Sequence, residues 1–563
     1  MSSFQWRSQW SLSILYLGVL GVLLWLVLYP NLYVFVQSFK RGDHLTLATY
    51  REFFVSSAQI EGLRNSLLIS LGSVLLSALV GIPLAFIFHL YDFPARKIVA
   101  GLASLPVLLP PLVGVIAFMF LYGESGILSR TLQHELRLRE PPFALKGVGA
   151  ILFVQAYTMY VYFYLFVSAG LKRLDFSLLE ASRSLGASRT RTFFSVTLRL
   201  LTPALIGASL LTFMTSMASF SAPYIFGGGV RVLALQIYNS KLNGDLQMAL
   251  VETVILTATS IFFLILLQRY EGDERYRTVG KGTQRPLEIV RSPTLKIILA
   301  IAGVLLVLFL LLPHFTLILI SFSRDGTWTT EILPPTYTTE NYLRLFSSTH
   351  FLEPILNSLK MAVLATVGNA LFALLAGYLI VRRRVRGALL LSALILLPWA
   401  LPGTVLGLSL ATTFNQYHPL QGRLLLVGTY WILPLAYFIR NIPVVVRSVQ
   451  ASFEQFDPAL EEAARSLGAT WLYSFRRVVL PMILPGVLSG SLLAFVTALG
   501  EFVTSIVIYT IPNRPISIEI LAQLRQFNFG SAAAYGVLLI ILIAAAFLLS
   551  EKYAADVARP GLN

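Results

Sequence analysis

Residues 179–187 read Leu-Glu-Ala-Ser-Arg-Ser-Leu-Gly-Ala, and residues 461–469 read Glu-Glu-Ala-Ala-Arg-Ser-Leu-Gly-Ala. Seven of the nine positions match at an offset of 282, half the length of a 563-residue chain. Asp175 and Asp457 share that offset, as do Pro203 and Pro485. Pro106 and Pro110 pair with Pro398 and Pro402 at 292, so the first half carries ten more residues between the two landmarks. Chance likeness between apolar helices does not reproduce polar residues between them. The chain is an internal duplication.

The repeated stretch has a definite local design. Asp457 followed by Pro458 is an N-cap with proline at the first helical position. In the first copy Asp175 can cap, or Ser177 with Glu180 three residues on can form a capping box. Leu, Ala and Arg favour a short helix, and Gly186 or Gly468 stops it. Ser188 or Thr470 can cap an amphipathic segment that runs on to Pro203 or Pro485. Each half thus carries a short, firmly bounded helix suited to rigid docking.

The surroundings of these loops are apolar. Charged residues make up 12% of the chain, against about a quarter in soluble domains. Hydrophobic residues make up 56%, and the mean hydropathy is +0.74. A soluble interior cannot hide that much apolar side chain, which leaves lipid as the solvent. The net charge of +16 reads as Lys and Arg kept in cytoplasmic loops. No basic run is interleaved with aromatics as in a nucleic-acid groove, so nucleic acid is not an expected partner. The absence of cysteine excludes disulfides, thiolate metal sites and a Cys nucleophile.

Apolar stretches long enough to cross about 30 Å of hydrocarbon predict an all-α polytopic protein with twelve spans: 11–36, 66–90, 99–122, 149–171, 201–226, 248–268, 295–322, 357–381, 388–412, 425–446, 483–510 and 533–550. The apolar run Leu12–Phe35 is too long for a signal-peptide core and reads as the first span. With the N-terminus cytoplasmic, twenty-six Lys and Arg fall on the cytoplasmic side and fifteen outside, which predicts both termini in the cytoplasm. The charged, Gly-containing stretch after Gln268 predicts a solvated linker. The expected organisation is a first half at 1–268 with its loop at 175–203, a cytoplasmic linker at 269–294, and a second half at 295–563 with its loop at 457–485.

Glu462-Ala463-Ala464-Arg465-Ser466-Leu467-Gly468, with Leu484-Pro485 downstream, resembles the "EAA" loop of binding-protein-dependent ABC importer permeases. Glu180-Ala181-Ser182-Arg183-Ser184-Leu185-Gly186 departs by Ser for the second Ala and by Thr202 before Pro203. The resemblance covers essentially the whole chain. It implies a type I permease fold with two intertwined bundles, and coupling helices seated on two copies of a separate ABC ATPase on the cytoplasmic face. Glu180 and Glu462 would orient the loop or pair with basic groups of that subunit. Ala181 and Ala463 would allow close approach, with Arg183 and Arg465 within the same motif, and Gly186 and Gly468 would set the turn. The fused layout resembles the ferric-iron, thiamine, phosphonate and polyamine branch, with ferric iron ranked first. Substrate would come from a periplasmic or surface-tethered binding protein at a bacterial inner membrane.

No segment matches Gly-x-x-x-x-Gly-Lys-Ser/Thr, and Gly280-Lys281-Gly282-Thr283 has the wrong spacing. The chain is therefore not expected to be an enzyme or to hold a cofactor; ATP and Mg would belong to the partner. Polar residues within spans are costly and mark candidate path positions. Glu501 is the clearest, read here as an isolated carboxylate, and its repeat counterpart is Ser219. Each is equally readable as a cavity-lining group or a structural anchor. Glu252 reads as interfacial at a span end, and Arg440 and Lys360 as snorkelling. The six histidines show no metal-ligand spacing. The alternatives are an ion-gradient-driven secondary transporter, which calls for buried charge pairs, and a membrane enzyme, which calls for a convergent catalytic group.

Overall fold

The computed structural model describes residues 3–557 apart from 43, 105, 107–108, 144, 272–287, 290–291, 329–330, 418–421 and 423. Most of the expected linker lies outside the described residues, and so does His418. Within the described residues ten helices are long and apolar enough to span a bilayer, and two bent pairs bring the number to twelve. Strand pairing is confined there to two-residue contacts such as Lys40–Arg41 with His44–Leu45 and a single bridge between Ser323 and Tyr337. The fold is all-α.

The chain packs as two compact units whose membership departs from the sequence halves. Residues 50–338 form one, and residues 1–49 join 339–563 in the other. The first long helix therefore packs with the second repeat. Its Trp25 meets Phe414 edge-on at 5.9 Å, and Ser409 Oγ donates to Asn31 Oδ1 at 3.4 Å. In turn the Pro293–Ser321 helix packs with the first repeat, where Tyr157 Oη donates to the Leu310 carbonyl at 2.7 Å.

Small residues bring the helices together. In the 50–338 unit the Ser57–Leu90 helix lies along Gly147–Arg173. A Cβ on Gly81 would run into the Tyr160 backbone and the Phe163 side chain. In the other unit Gly377 faces Val449 and Phe453, while Gly490 lies against Ser448. Lipid tails are as apolar as Leu, so close packing of this kind, not hydrophobic exclusion, holds membrane helices together.

Several predicted spans are discontinuous. The span expected at 388–412 is Ala388–Ala400 followed by Gly403–Thr413, bent by 106°. Pro402 sits in the break and cannot continue the helix before it. The span at 483–510 is Leu480–Leu499 and then Val503–Ile508, and the one at 201–226 is Thr202–Met217 and then Ser221–Phe226. The tenth helix runs Ile432–Gln455, not 425–446, because the left-handed Gly428 (φ 85°) holds a turn before it. Two short helices, Leu233–Leu242 and Ile516–Arg525, precede the last helix of each repeat and were not expected. Their mixed polarity hid them from a hydropathy reading.

Candidate functional site

The duplicated stretches fold alike. Each forms a nine-residue helix, Phe176–Ser184 and Pro458–Ser466. Asp175 Oδ1 accepts from the Ser177 amide at 3.0 Å, and Asp457 Oδ1 accepts from Ala459 at 2.9 Å. Asp175 is thus the first cap, and the Ser177 alternative falls away. Gly186 and Gly468 have φ of 84° and 88°. The next amides, Ala187 and Ala469, return to the Ser182 and Ala464 carbonyls at 3.2 and 3.1 Å, closing the helices in the Schellman manner. Ser188 and Thr470 cap the following segments through the Arg191 and Tyr473 amides. A π-helical turn follows in both copies, Phe193–Thr197 and Phe475–Val479.

What the loops present outward is apolar at one corner. Leu185 and Leu467 are 88% and 89% exposed, and Leu178 and Leu460 are also open. Glu180, Ala181, Arg183 and Gly186 are exposed in the first loop, and Glu462, Ala463, Arg465 and Gly468 in the second. The carboxylate that ties the second loop down is Glu461, one residue before the motif glutamate. It is buried between Arg382, whose guanidinium pairs with Oε2, and Arg465, which pairs with Oε1 at 2.6 Å. The equivalent position in the first loop is the buried Leu179. One loop is held by charge, its twin by an apolar contact.

Glu501 is not isolated. It lies at the break between Leu480–Leu499 and Val503–Ile508, where its Oε1 accepts from the Thr504 amide at 2.9 Å. Its Oε2 lies 2.8 Å from Arg440 Nε on the Ile432–Gln455 helix. Arg440 therefore pairs within the protein and does not snorkel. Tyr437 Oη and Ser505 Oγ, 2.7 Å apart, link the same elements, as does Thr497 Oγ1 donating to Asn441 Oδ1 at 2.5 Å. Ser219 sits at the matching break of the first repeat, half-buried, its amide bonded to the Ser216 carbonyl at 2.9 Å. Thr158 stands at the counterpart of Arg440, so the pair has no equivalent at this break. Structure and sequence also disagree on Glu252, which is fully buried and accepts from Ser240 Oγ at 3.0 Å.

Two further features escaped the sequence reading. Asn65-Ser66-Leu67 recurs as Asn357-Ser358-Leu359 at the 292 offset already set by the prolines. Ser66 Oγ accepts from the Leu233 amide at 2.9 Å, and Ser358 Oγ accepts from Ile516 at 2.8 Å. Each serine thus receives the start of one of the unexpected short helices. Asn65 and Asn357 donate to the preceding carbonyls of Arg231 and Arg514. The signal was present in the repeat. The second feature is a buried pair, Arg514 and Glu519, within the second short helix region. Buried charge pairs are therefore present, so their supposed absence does not argue against a secondary transporter.

The family comparison decides that question. The model of binding-protein-dependent transport system inner membrane components matches twice, at residues 77–272 and 352–559. A probable ABC transporter permease protein, y4fN of Sinorhizobium fredii, is 28% identical over 522 residues, covering 91% of each chain. The ferric transport system permease protein FbpB of Actinobacillus pleuropneumoniae is 27% identical over 97% of this chain and 78% of its own. The sulfate transport system permease protein CysT of Salmonella typhimurium is 38% identical over 34% of this chain and 71% of its own. With the duplicated unit and the helical membrane fold, these matches place the chain in the family of binding-protein-dependent transport system inner membrane components, as a fused two-domain permease of a type I ABC importer.

Proposed function

We propose that this chain forms the path of an ATP-driven importer and receives its mechanical input through the Phe176–Ser184 and Pro458–Ser466 helices, each seated on one copy of a separate ATPase subunit. The observation that carries this reading is the pair of identically capped helices whose exposed leucines, Leu185 and Leu467, stand at the glycine-closed end. Exposed leucine at a rigid corner suits insertion into a partner's apolar groove. Glu180, Arg183, Glu462 and Arg465 supply a polar rim around each corner. A change in the distance between the two seats would then rock the helical bundles between inward-open and outward-open states. Both termini lie on the ATPase side in this scheme, and a substrate-binding protein docks on the opposite face.

Ferric iron is the proposed cargo. The fused layout is shared along nearly the whole chain with a relative named for ferric transport, whereas the relative named for sulfate aligns with about one repeat. Extraction in mild detergent tests the coupling. The wild type should bring down an ATPase at two copies per permease, and Gly186→Pro with Gly468→Pro should lose it. Proline cannot adopt the positive φ those turns need. Wild-type chain that purifies without ATPase, and whose uptake runs on an ion gradient alone, sinks the reading. Proteoliposomes loaded with ATP, ATPase and binding protein, offered radiolabelled ferric iron or sulfate, then decide the cargo.

A further inference from the structure

We propose that Arg440 is a contact site for an oxyanion or carboxylate group carried along the path, a deepening that rests on the importer reading above. Arg440 is the ninth residue of Ile432–Gln455, about 12 Å along the helix at 1.5 Å per residue. Within a membrane span a guanidinium must face protein or water.

The two partners of the pair are committed unequally. Both Glu501 oxygens are taken, one by Arg440 Nε and one by the Thr504 amide. Arg440 spends only its Nε edge on Glu501, and its side chain stays 30% exposed. Among the described residues neither Nη1 nor Nη2 has a hydrogen-bond partner, and neither is sealed from solvent. The outer fork of the guanidinium is left without a protein acceptor among the described residues. Two parallel N–H donors in a plane match two oxygens of a carboxylate, sulfate or phosphate. Glu501 anchors the Nε edge, and the Tyr437–Ser505 and Asn441–Thr497 bonds tie together the helices around it.

The first repeat has Thr158 and Ser219 at the positions of Arg440 and Glu501 and folds its break without charge. The break itself therefore does not require the charge. The fork can only donate, so a cationic cargo would meet it through an anionic ligand attached to the cation. The anion has two sources: a free oxyanion as cargo, or an oxyanion or carboxylate coordinating a metal ion.

The test uses the complex of permease, ATPase and binding protein. Melting midpoints are measured with sulfate, then with citrate, at constant ionic strength. The wild type should gain about 2 °C or more, and R440Q/E501Q, which removes both charges together, should gain nothing. R440K should gain less than the wild type, because a point charge replaces the fork. A double variant stabilised as much as the wild type overturns the proposal while leaving the importer reading intact. Uptake in proteoliposomes then separates the sources. A tenfold loss in R440Q/E501Q for radiolabelled sulfate identifies the free anion, and the same loss for ferric citrate identifies the coordinated one. Unchanged uptake of whichever probe the wild type carries also overturns it. Wild-type liposomes that take up neither probe contradict the proposed cargo alone, since the melting shift judges Arg440 without transport.

Discussion

Arg514 Nε lies 2.7 Å from Glu519 Oε2, and Glu519 has no exposed surface. Gln523 donates to the other oxygen at 2.6 Å and is itself met by Asn528. Removing one member of a buried pair costs about 3–5 kcal/mol, because the other charge is left desolvated and unpaired. Glu519→Ala should therefore lower the melting point of the detergent-solubilised chain by several degrees. Replacing both, as Arg514→Met with Glu519→Leu, should recover most of that loss. Equal stability of the single and double variants would contradict the pairing.

Arg382 should matter to one loop and not to its twin. Its guanidinium holds Glu461 in place, whereas the first loop rests on Leu179. In Arg382→Ala, hydrogen exchange should speed up across 458–466 and stay unchanged across 176–184. Parallel acceleration of both loops would show that the asymmetry has no energetic weight.

Gly468 has open space around the position of a Cβ, so only its backbone angle resists substitution. Gly468→Ala should weaken the cap by about 1–2 kcal/mol, the penalty of a left-handed L-residue. Gly468→Asn should cost less, since Asn tolerates that region. Protection of the Ala469 amide, which bonds back to the Ala464 carbonyl, reports the order Gly, Asn, Ala. A flat series would mean that the turn does not depend on φ.

Ser66 and Ser358 offer a matched pair of tests. Each accepts a buried amide at the start of a short helix, and Ser→Ala leaves that amide without its partner. The expected cost is about 1–3 kcal/mol at each site. The two substitutions share no partner, so their effects should add. Chemical denaturation of the wild type, the two single variants and the double variant gives the sum directly, and strong non-additivity would refute independent roles.

The features legible in the sequence are those whose causes lie within a few residues. Asp175 and Asp457 cap amides two positions away, and Gly186 and Gly468 end their helices because only glycine takes the turn without strain. The long apolar spans were visible for the same reason: composition alone decides whether a segment prefers lipid. The short helices Leu233–Leu242 and Ile516–Arg525 were not, although the repeated Asn-Ser-Leu at 65–67 and 357–359 marked where each is held.

By itself, then, the sequence determined the duplication, the membrane-spanning character and the two capped loop helices. Tertiary structure alone decided that the first helix packs with the second repeat, that Arg440 meets Glu501 across 61 residues, and that Arg382 reaches Glu461 across 79. It also decided where spans break, since a helix in lipid breaks only where neighbouring groups satisfy the freed backbone. Capping and hydropathy are local properties of a chain. Pairing between distant charges depends on which helices close-pack, and that is set by small residues such as Gly81 and Gly490, whose partners no periodicity reveals.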